Sequence, residues 1–290
     1  MMRHAMKDLK PRLIMTTICV LFLFFFIGFA EHTYFKPVFV GAVAFVASVA
    51  FWEYCQIVKM KGIVPCTKVG IVGTVCYAYA IYFGIESSFF SFLPLFVLGI
   101  ILTLSFLMRF NEVENALASV ATTFFGIVYI TVTFSGIIVI MYHFPQVSGK
   151  DGRLWLIYLL AVSKMTDVGG LFIGRFCGKK SLIPKISPNK TVAGAFGGIL
   201  FAGITSVGFA YATGFKESSA LGLTLLQSIY LGLILGFFAE IGDLAESLLK
   251  RDGKIKDSNP HFPGLGGALD TVDSLLFTTP IVCLFLQVAI

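Results

Sequence analysis

The feature that most constrains the fold is a series of long apolar segments along the whole chain. Nine can be recognised, at about residues 13–30, 38–58, 69–85, 89–108, 116–142, 154–174, 192–213, 219–249 and 268–290. Most approach or exceed the ~20 apolar residues with which an α-helix crosses a bilayer core. Because a helix satisfies its own backbone hydrogen bonds in lipid, each segment is expected to be helical. The sequence predicts an all-α polytopic integral membrane protein with about nine transmembrane helices.

A soluble fold is excluded by the small number of charges. Only 13% of the 290 residues are charged and 57% are hydrophobic, whereas soluble domains carry roughly 25% charged residues. The basic residues 1–12 and the apolar run that follows resemble a secretion signal. That run is longer than a signal core, so we interpret it as a retained first transmembrane helix.

The distribution of cations predicts the orientation. With a cytoplasmic N-terminus, seventeen of the 22 Lys and Arg residues fall in cytoplasmic loops, as the positive-inside rule requires. The loops 175–191 and 250–267 would then face the cytoplasm, and we expect a bacterial inner membrane. Residues 1–150 would form about five N-terminal membrane helices. Residues 151–290 would form the remaining helices, with cytoplasmic catalytic loops.

Residues 240–273 hold seven of the sixteen acidic residues. Glu240, Asp243 and Glu246 are spaced by three, so they share one side of a helix. Asp270 and Asp273 repeat this spacing at the start of the last apolar segment. Carboxylates that converge in this way repel one another, and a hard divalent cation such as Mg²⁺, bound through oxygen together with substrate phosphates, removes the repulsion.

The alternative is a helix surface covered by salt bridges, for example between Glu246 and Lys250 at i, i+4. This explains one pair, but it does not explain Asp270 and Asp273 at the start of a membrane helix. A carboxylate at the centre of a membrane helix costs about 2.5–3.5 kcal/mol. We therefore favour a metal and phosphate site. Glu53, near the inner end of the second segment, is not favoured for a direct role.

A second polar stretch precedes the seventh segment. Residues 174–198 read GRFCGKKSLIPKISPNKTVAGAFGG, and Pro184 and Pro188 predict a shaped loop that leads into a Gly-rich helix. Ser, Thr and Lys next to backbone N–H groups at a helix start favour an anion site, although basic loops also serve only to orient a protein or attract lipid headgroups. Lys164 and Asp167 share a helix face, where they either neutralise each other or line a polar cavity.

At this point two stretches resemble a known family. GDLAESLLKRDGKIKDSNPHFPGLGGALDTVDS is similar to the C-terminal motif of the CDP-diacylglycerol synthases, also called phosphatidate cytidylyltransferases. The stretch 174–198 resembles their second recurring block, and Asp167 falls where the family has an aspartate. The resemblance covers roughly residues 164–275. It implies an integral membrane enzyme of phospholipid biosynthesis that converts CTP and phosphatidate into CDP-diacylglycerol and pyrophosphate with Mg²⁺, with a second metal ion left open.

The resemblance also implies roles for individual residues. Asp243 and Asp270 would be metal ligands, with Asp257 and Asp273 as further ligands or neighbouring groups, and Lys250 would belong to the same catalytic set. The residues expected to bind nucleotide or lipid substrate are Arg251, Lys256, Ser187, Lys190 and Asp167. The expected partners are CTP, phosphatidate and the lipid bilayer, with a homodimer compatible with the family and no nucleic acid.

The sequence departs from the family pattern at three positions. Leu265 stands where the family usually has His, Thr271 where it has Arg, and Ala193 where it has a carboxylate. These changes leave the presumed metal carboxylates intact and concern the contacts to phosphate. Two other functions stay open. One is a CTP-dependent kinase of a lipid alcohol such as a polyprenol or phytol. The other, less favoured, is a cation-coupled transporter, which would place its charges near the bilayer midplane.

Overall fold

The structure, a computed structural model, describes residues 21–148, 150–215, 221–255 and 267–289. Helix α1 covers the described residues 21–29. The helices that follow are α2 (Lys36–Lys59), α3 (Thr67–Glu86), α4 (Leu93–Leu107), α5 (Ala116–Ser148), α6 (Gly152–Cys177), α7 (Val192–Thr213), α8 (Leu225–Asp252) and α9 (Ala268–Ala289). Two strands, β1 (Ser181–Ile183) and β2 (Ser187–Thr191), lie between α6 and α7.

Eight helices within the described ranges are long and apolar enough to cross a membrane. They correspond to the second to ninth predicted segments, which confirms an all-α polytopic membrane protein. The first predicted segment, 13–30, lies partly outside the described residues, and its residues 21–29 are helical. The predicted extension of the eighth helix is also confirmed, because α8 continues to Asp252 and carries Asp243, Glu246 and Lys250.

The largest differences from the predicted helix boundaries are at the end of α5 and at the start of α8. Helix α5 continues to Ser148 through two π-helical turns, Ile127–Val132 and Val139–His143. Helix α8 begins at Leu225 rather than near residue 219, because Thr224 and Gln227 form a capping box. The Thr224 hydroxyl accepts from the Gln227 N–H at 3.2 Å, and the Gln227 side chain accepts from the Thr224 N–H at 2.9 Å. This pair stabilises a helix start that apolar periodicity does not reveal.

The buried core lies where α2, α5, α6 and α9 meet. Phe51, Ile138, Leu159 and Leu276 are all almost fully buried there. Large apolar side chains of α4, such as Leu95 and Phe96, are exposed instead, as expected of a surface that faces lipid. Helices α6, α7 and α8 pack side by side, with Gly169, Gly197 and Gly236 in the contacts. Small residues of this kind allow membrane helices to approach closely.

The basic stretch between α6 and α7 forms an antiparallel hairpin. Ser181 pairs with Thr191 and Ile183 with Ser187. The Thr191 hydroxyl caps α7 by accepting from the Gly194 N–H at 3.1 Å, so the helix begins at the predicted residue, Val192. The prediction of a shaped loop before a Gly-rich helix is confirmed in position, but the hairpin pairing was not predicted.

Ion pairs mark the two ends of the helical bundle. At one end, Lys61 after α2 pairs with Asp252 at the C-terminal end of α8, with 2.5 Å between Nζ and Oδ1. At the other end, Arg153 at the start of α6 pairs with Glu31 at 3.1 Å and with Asp151 at 2.8 Å. The hairpin and the start of α9 lie at the first end, where the residues of the predicted site also meet.

Candidate active site

Three carboxylates converge between α8 and α9. An oxygen of Asp243, one of Glu246 and one of Asp273 all lie within 4.8 Å of one another. Glu246 and Asp273 are buried, and Asp243 is half-buried. The two helices come this close because residue 242 is glycine: a Cβ there would lie 2.5 Å from the Asp273 carbonyl oxygen. We call these three residues the carboxylate triad.

Lys190 connects the hairpin to α8. Its Nζ lies 2.6 Å from Asp243 Oδ2 and 2.7 Å from Glu240 Oε2. Burial lowers the pKa of the Lys190 ammonium, but the carboxylates of Asp243 and Glu240 raise it by more, so this pKa lies above its usual value. Lys190 therefore stays charged at neutral pH and neutralises part of the acidic charge next to the carboxylate triad.

Lys250 makes the corresponding bridge between α8 and α9. Its Nζ lies 2.5 Å from Glu246 Oε2 and 3.0 Å from Asp270 Oδ1. The other oxygen of Asp270 accepts a hydrogen bond from the Gly267 N–H at 2.8 Å. The i, i+4 pair of Glu246 with Lys250 is therefore present, as the salt-bridge alternative predicted, but it forms one side of a larger cluster.

Lys164 and Asp167 reach the same region from α6. Lys164 Nζ lies 3.6 Å from Asp167 Oδ2 and donates a hydrogen bond to the Thr271 carbonyl at 3.0 Å. Both side chains are 43% exposed, although Lys164 lies near the middle of a membrane-spanning helix. An ionisable residue at such a position is functional by default. Lys164 and Asp167 are therefore close enough to neutralise each other, and a polar cavity lined by the pair stays a prediction.

The described part of the site has more acidic than basic groups. Six carboxylates face three lysines across α6, α8, α9 and β2: Asp167, Glu240, Asp243, Glu246, Asp270 and Asp273 against Lys164, Lys190 and Lys250. Oxygen donors are what hard divalent cations prefer. The donor set of the carboxylate triad therefore fits a divalent cation.

The remaining predicted site residues are Ser187, Arg251, Lys256 and Asp257. Ser187 begins β2, and the Arg251 Nε donates to the Ile186 carbonyl at 3.1 Å, which ties α8 to the hairpin. Asp257 and Lys256 lie outside the described residues, as does Leu265. Asp270, predicted as a metal ligand together with Asp243, lies beside the triad and interacts with Lys250 and Gly267.

Three residues of the site are absent from the individual roles that the resemblance implies. The three-residue spacing placed Glu240 and Glu246 on the helix side of Asp243, among the carboxylates expected near a divalent cation. Glu53 on α2 is fully buried and accepts hydrogen bonds from the Ala268 and Leu269 N–H groups at the start of α9. No local pattern marks this contact, because it joins residues more than 200 positions apart.

Spanning helices and an acidic site that suits a divalent cation together define an integral membrane protein with a polar functional site. The comparisons identify its family: the cytidylyltransferase family profile matches residues 10–289. The phosphatidate cytidylyltransferase of Chlamydia pneumoniae is 30% identical over 98% of this chain and 94% of its own length. That of Bacillus subtilis is 30% identical over 95% of this chain and 96% of its own length.

A shorter match joins this chain to the uncharacterized protein YnbB of Escherichia coli. The two are 34% identical over 49% of this chain and 46% of the length of YnbB. The profile and the two nearly full-length relatives decide the assignment. The chain belongs to the cytidylyltransferase family, which confirms the resemblance stated from its motifs.

Proposed function

We propose that this chain is a phosphatidate cytidylyltransferase. A phosphate oxygen of phosphatidate forms a bond to the α-phosphorus of CTP, and the bond between the α-phosphorus and the bridging oxygen breaks. CDP-diacylglycerol and pyrophosphate are the products. The attacking phosphate is already ionised at neutral pH, so the protein has to position and stabilise charge rather than remove a proton.

The observation that carries this proposal is the carboxylate triad with its flanking lysines, within a chain that matches the family over nearly its whole length. We propose that Asp243, Glu246 and Asp273 hold Mg²⁺. When bound, this ion stabilises the negative charge of the departing pyrophosphate. Asp270 remains a predicted ligand together with Asp243, and Asp257 remains a possible ligand or neighbouring group; substitution of each residue can test these roles.

The lysines that flank the triad preserve its shape. Lys190 and Lys250 each contact two carboxylates, so they hold the hairpin, α8 and α9 in fixed positions before substrate arrives. Preorganised charge of this kind stabilises a transition state without reorganisation during the reaction. Arg251, Ser187 and Lys256 remain our predicted contacts to nucleotide or lipid phosphate, because they belong to the two stretches, 175–191 and 250–267, that are expected to face the cytoplasm.

We assign the lipid phosphate to Lys164. Its helix face continues through Val168 and Leu171 at i+4 and i+7, both of which are exposed apolar residues. Lys164 therefore lies where the acidic cluster meets the lipid-facing surface. Asp167, predicted to contact substrate, orients Lys164 from the same face. A phosphate group on a membrane-embedded lipid would meet Lys164 before it reached the carboxylate triad.

The location follows from the same proposal. The excess of Lys and Arg at the hairpin end of the bundle supports a cytoplasmic site, where CTP is available. The bacterial relatives support a bacterial inner membrane. A homodimer remains a prediction, which light scattering of the purified protein in detergent can test.

The test is a lipid-labelling assay with purified protein, phosphatidate and Mg²⁺. Cytidylyl transfer moves label into the lipid fraction from CTP labelled at the α-phosphate and leaves γ-label in pyrophosphate. A CTP-dependent kinase acting on an added lipid alcohol instead moves the γ-label into the lipid fraction and leaves the α-label in CDP. Lipid labelled only from the γ-position would overturn the proposal in favour of the kinase. No labelled lipid from either nucleotide would also overturn it and would favour the transporter.

A further inference from the structure

Helix α2, in the N-terminal half of the chain, contacts the start of α9 through a buried carboxylate. Glu53 is 0% exposed. Its Oε1 accepts from the Ala268 N–H at 3.0 Å and its Oε2 from the Leu269 N–H at 2.8 Å. The first N–H groups of a helix have no partner within the helix, and a negative charge there is favoured by the helix dipole. Glu53 therefore caps α9 from a different helix.

The fit around this carboxylate is close. A Cβ at Gly267 would lie 2.4 Å from Glu53 Oε2, so any larger residue at 267 would displace the carboxylate or the backbone. The Gly267 N–H donates to Asp270 Oδ2. Residues 267–269 are thus fixed between Glu53 on one side and Asp270 on the other, one helical turn before Asp273 of the carboxylate triad.

The same end of α2 also reaches α8. Lys61, two residues beyond the end of α2, pairs with Asp252, the last residue of α8. The end of α2 therefore contacts the C-terminal end of α8 through Lys61 and the start of α9 through Glu53. Residues 253–267 connect these two helix ends in the sequence. Asp243 and Glu246 belong to the helix on one side of this stretch, and Asp273 belongs to the helix on the other.

We propose that Glu53 is a positioning residue of the cytidylyl-transfer site. It fixes the start of α9 so that Asp273 meets Asp243 and Glu246. The inference rests on the proposed function, and it gives the N-terminal half of the chain a role in the chemistry beyond spanning the membrane. Glu53 accepts hydrogen bonds from the backbone at the start of α9, so we expect its effect to reach the carboxylate triad through the position and orientation of this helix.

The test compares Glu53→Gln with Glu53→Asp and with a matched control, Glu86→Gln. Glu86 ends α3 and pairs with Lys36 at the opposite end of the bundle, at 2.9 Å. Three quantities are measured in detergent: hydrogen exchange of the peptide 267–275, Mn²⁺ affinity by paramagnetic resonance, and kcat and KM for CTP. Mn²⁺ is used because it accepts the same oxygen ligands as Mg²⁺.

For Glu53→Gln we expect faster exchange at 268 and 269, together with a 10- to 100-fold loss in Mn²⁺ affinity and kcat, the range typical of residues that orient metal ligands. The KM for CTP should change less than kcat. Glu53→Asp keeps the charge but is one methylene shorter, so it should recover part of the loss. Glu86→Gln should match the wild type in all three quantities.

Several outcomes would overturn the inference. Faster exchange with unchanged Mn²⁺ affinity and kcat would make Glu53 only a structural cap, and unchanged exchange would mean that the capping contact is unimportant. If Glu53→Gln does not fold, the same three quantities are measured for Gly267→Ala, whose methyl group crowds the Glu53 carboxylate without removing it. Wild-type values for Gly267→Ala would refute the inference. If the wild type transfers no cytidylyl group, the proposed function fails, whereas exchange and Mn²⁺ affinity still test Glu53.

Discussion

Replacing Lys190 by methionine tests whether the ion pairs described above hold the site together. The substitution leaves Glu240 and Asp243 without the cation between them, and their side chains are only 11% and 30% exposed. Removing one partner of a buried ion pair costs about 3–5 kcal/mol. Because Asp243 is partly solvated, we expect a loss near the lower end, about 3 kcal/mol, in the free energy of unfolding.

This destabilisation should be recoverable in two ways. Glu240→Gln in the Lys190→Met background removes one of the two stranded charges, so the double variant should be more stable than the single one, with a coupling energy of about 0.5–3 kcal/mol. Mg²⁺ should also stabilise Lys190→Met more than the wild type, because the site then carries one more uncompensated negative charge.

The assay is denaturant unfolding of the purified protein in detergent, with and without Mg²⁺. Lys185→Met is the control, because Lys185 is an exposed lysine between the strands of the same hairpin, and it should lose less than about 0.5 kcal/mol. A similar small loss for Lys190→Met, or a double variant no more stable than the single one, would refute the reasoning about the ion pairs.

Three further predictions concern single positions. Gly242→Ala should reduce kcat, because its methyl group would lie 2.5 Å from the Asp273 carbonyl oxygen and would push α8 away from α9. Steady-state kinetics measures kcat, and a wild-type value would contradict the prediction. Lys164→Gln should raise the KM for phosphatidate several-fold while the KM for CTP stays unchanged. Equal changes in the two KM values would argue against a role of Lys164 in binding the lipid phosphate. Asp270→Asn should lose activity while the protein still folds, as circular dichroism can check, and full activity would remove Asp270 from the site.

Much of the fold could be predicted because membrane helices are encoded locally. Each spanning segment carries its own apolar run, so the positions of α2 to α7 and of α9 follow from composition alone. The start of α8 was less accurate, since residues 219–224 are apolar enough to extend the segment but the capping box of Thr224 and Gln227 begins the helix later. The hairpin was missed because two prolines and a basic composition indicate a loop without showing how its strands pair.

The site could be predicted only in part, because its contacts join distant residues. The spacing of Glu240, Asp243 and Glu246 placed them on one helix side, but which carboxylates meet across α8 and α9 depends on helix packing. The contact of Glu53 with α9 and that of Lys164 with Thr271 each join elements more than 100 residues apart. A single sequence contains no local pattern for such contacts.

The most direct test of the central claim is a Mg²⁺ titration of cytidylyl transfer by the wild type and by Asp243→Asn, with Glu114→Gln as an exposed control. The account predicts that wild-type transfer from α-labelled CTP to phosphatidate saturates with Mg²⁺ and stops when the ion is chelated. Asp243→Asn should fold but transfer at least about 100-fold more slowly, as expected when a charge-stabilising group is lost from a site. Wild-type transfer that persists without divalent cations, or an unchanged rate in Asp243→Asn, would contradict the claim that the carboxylate triad holds the metal.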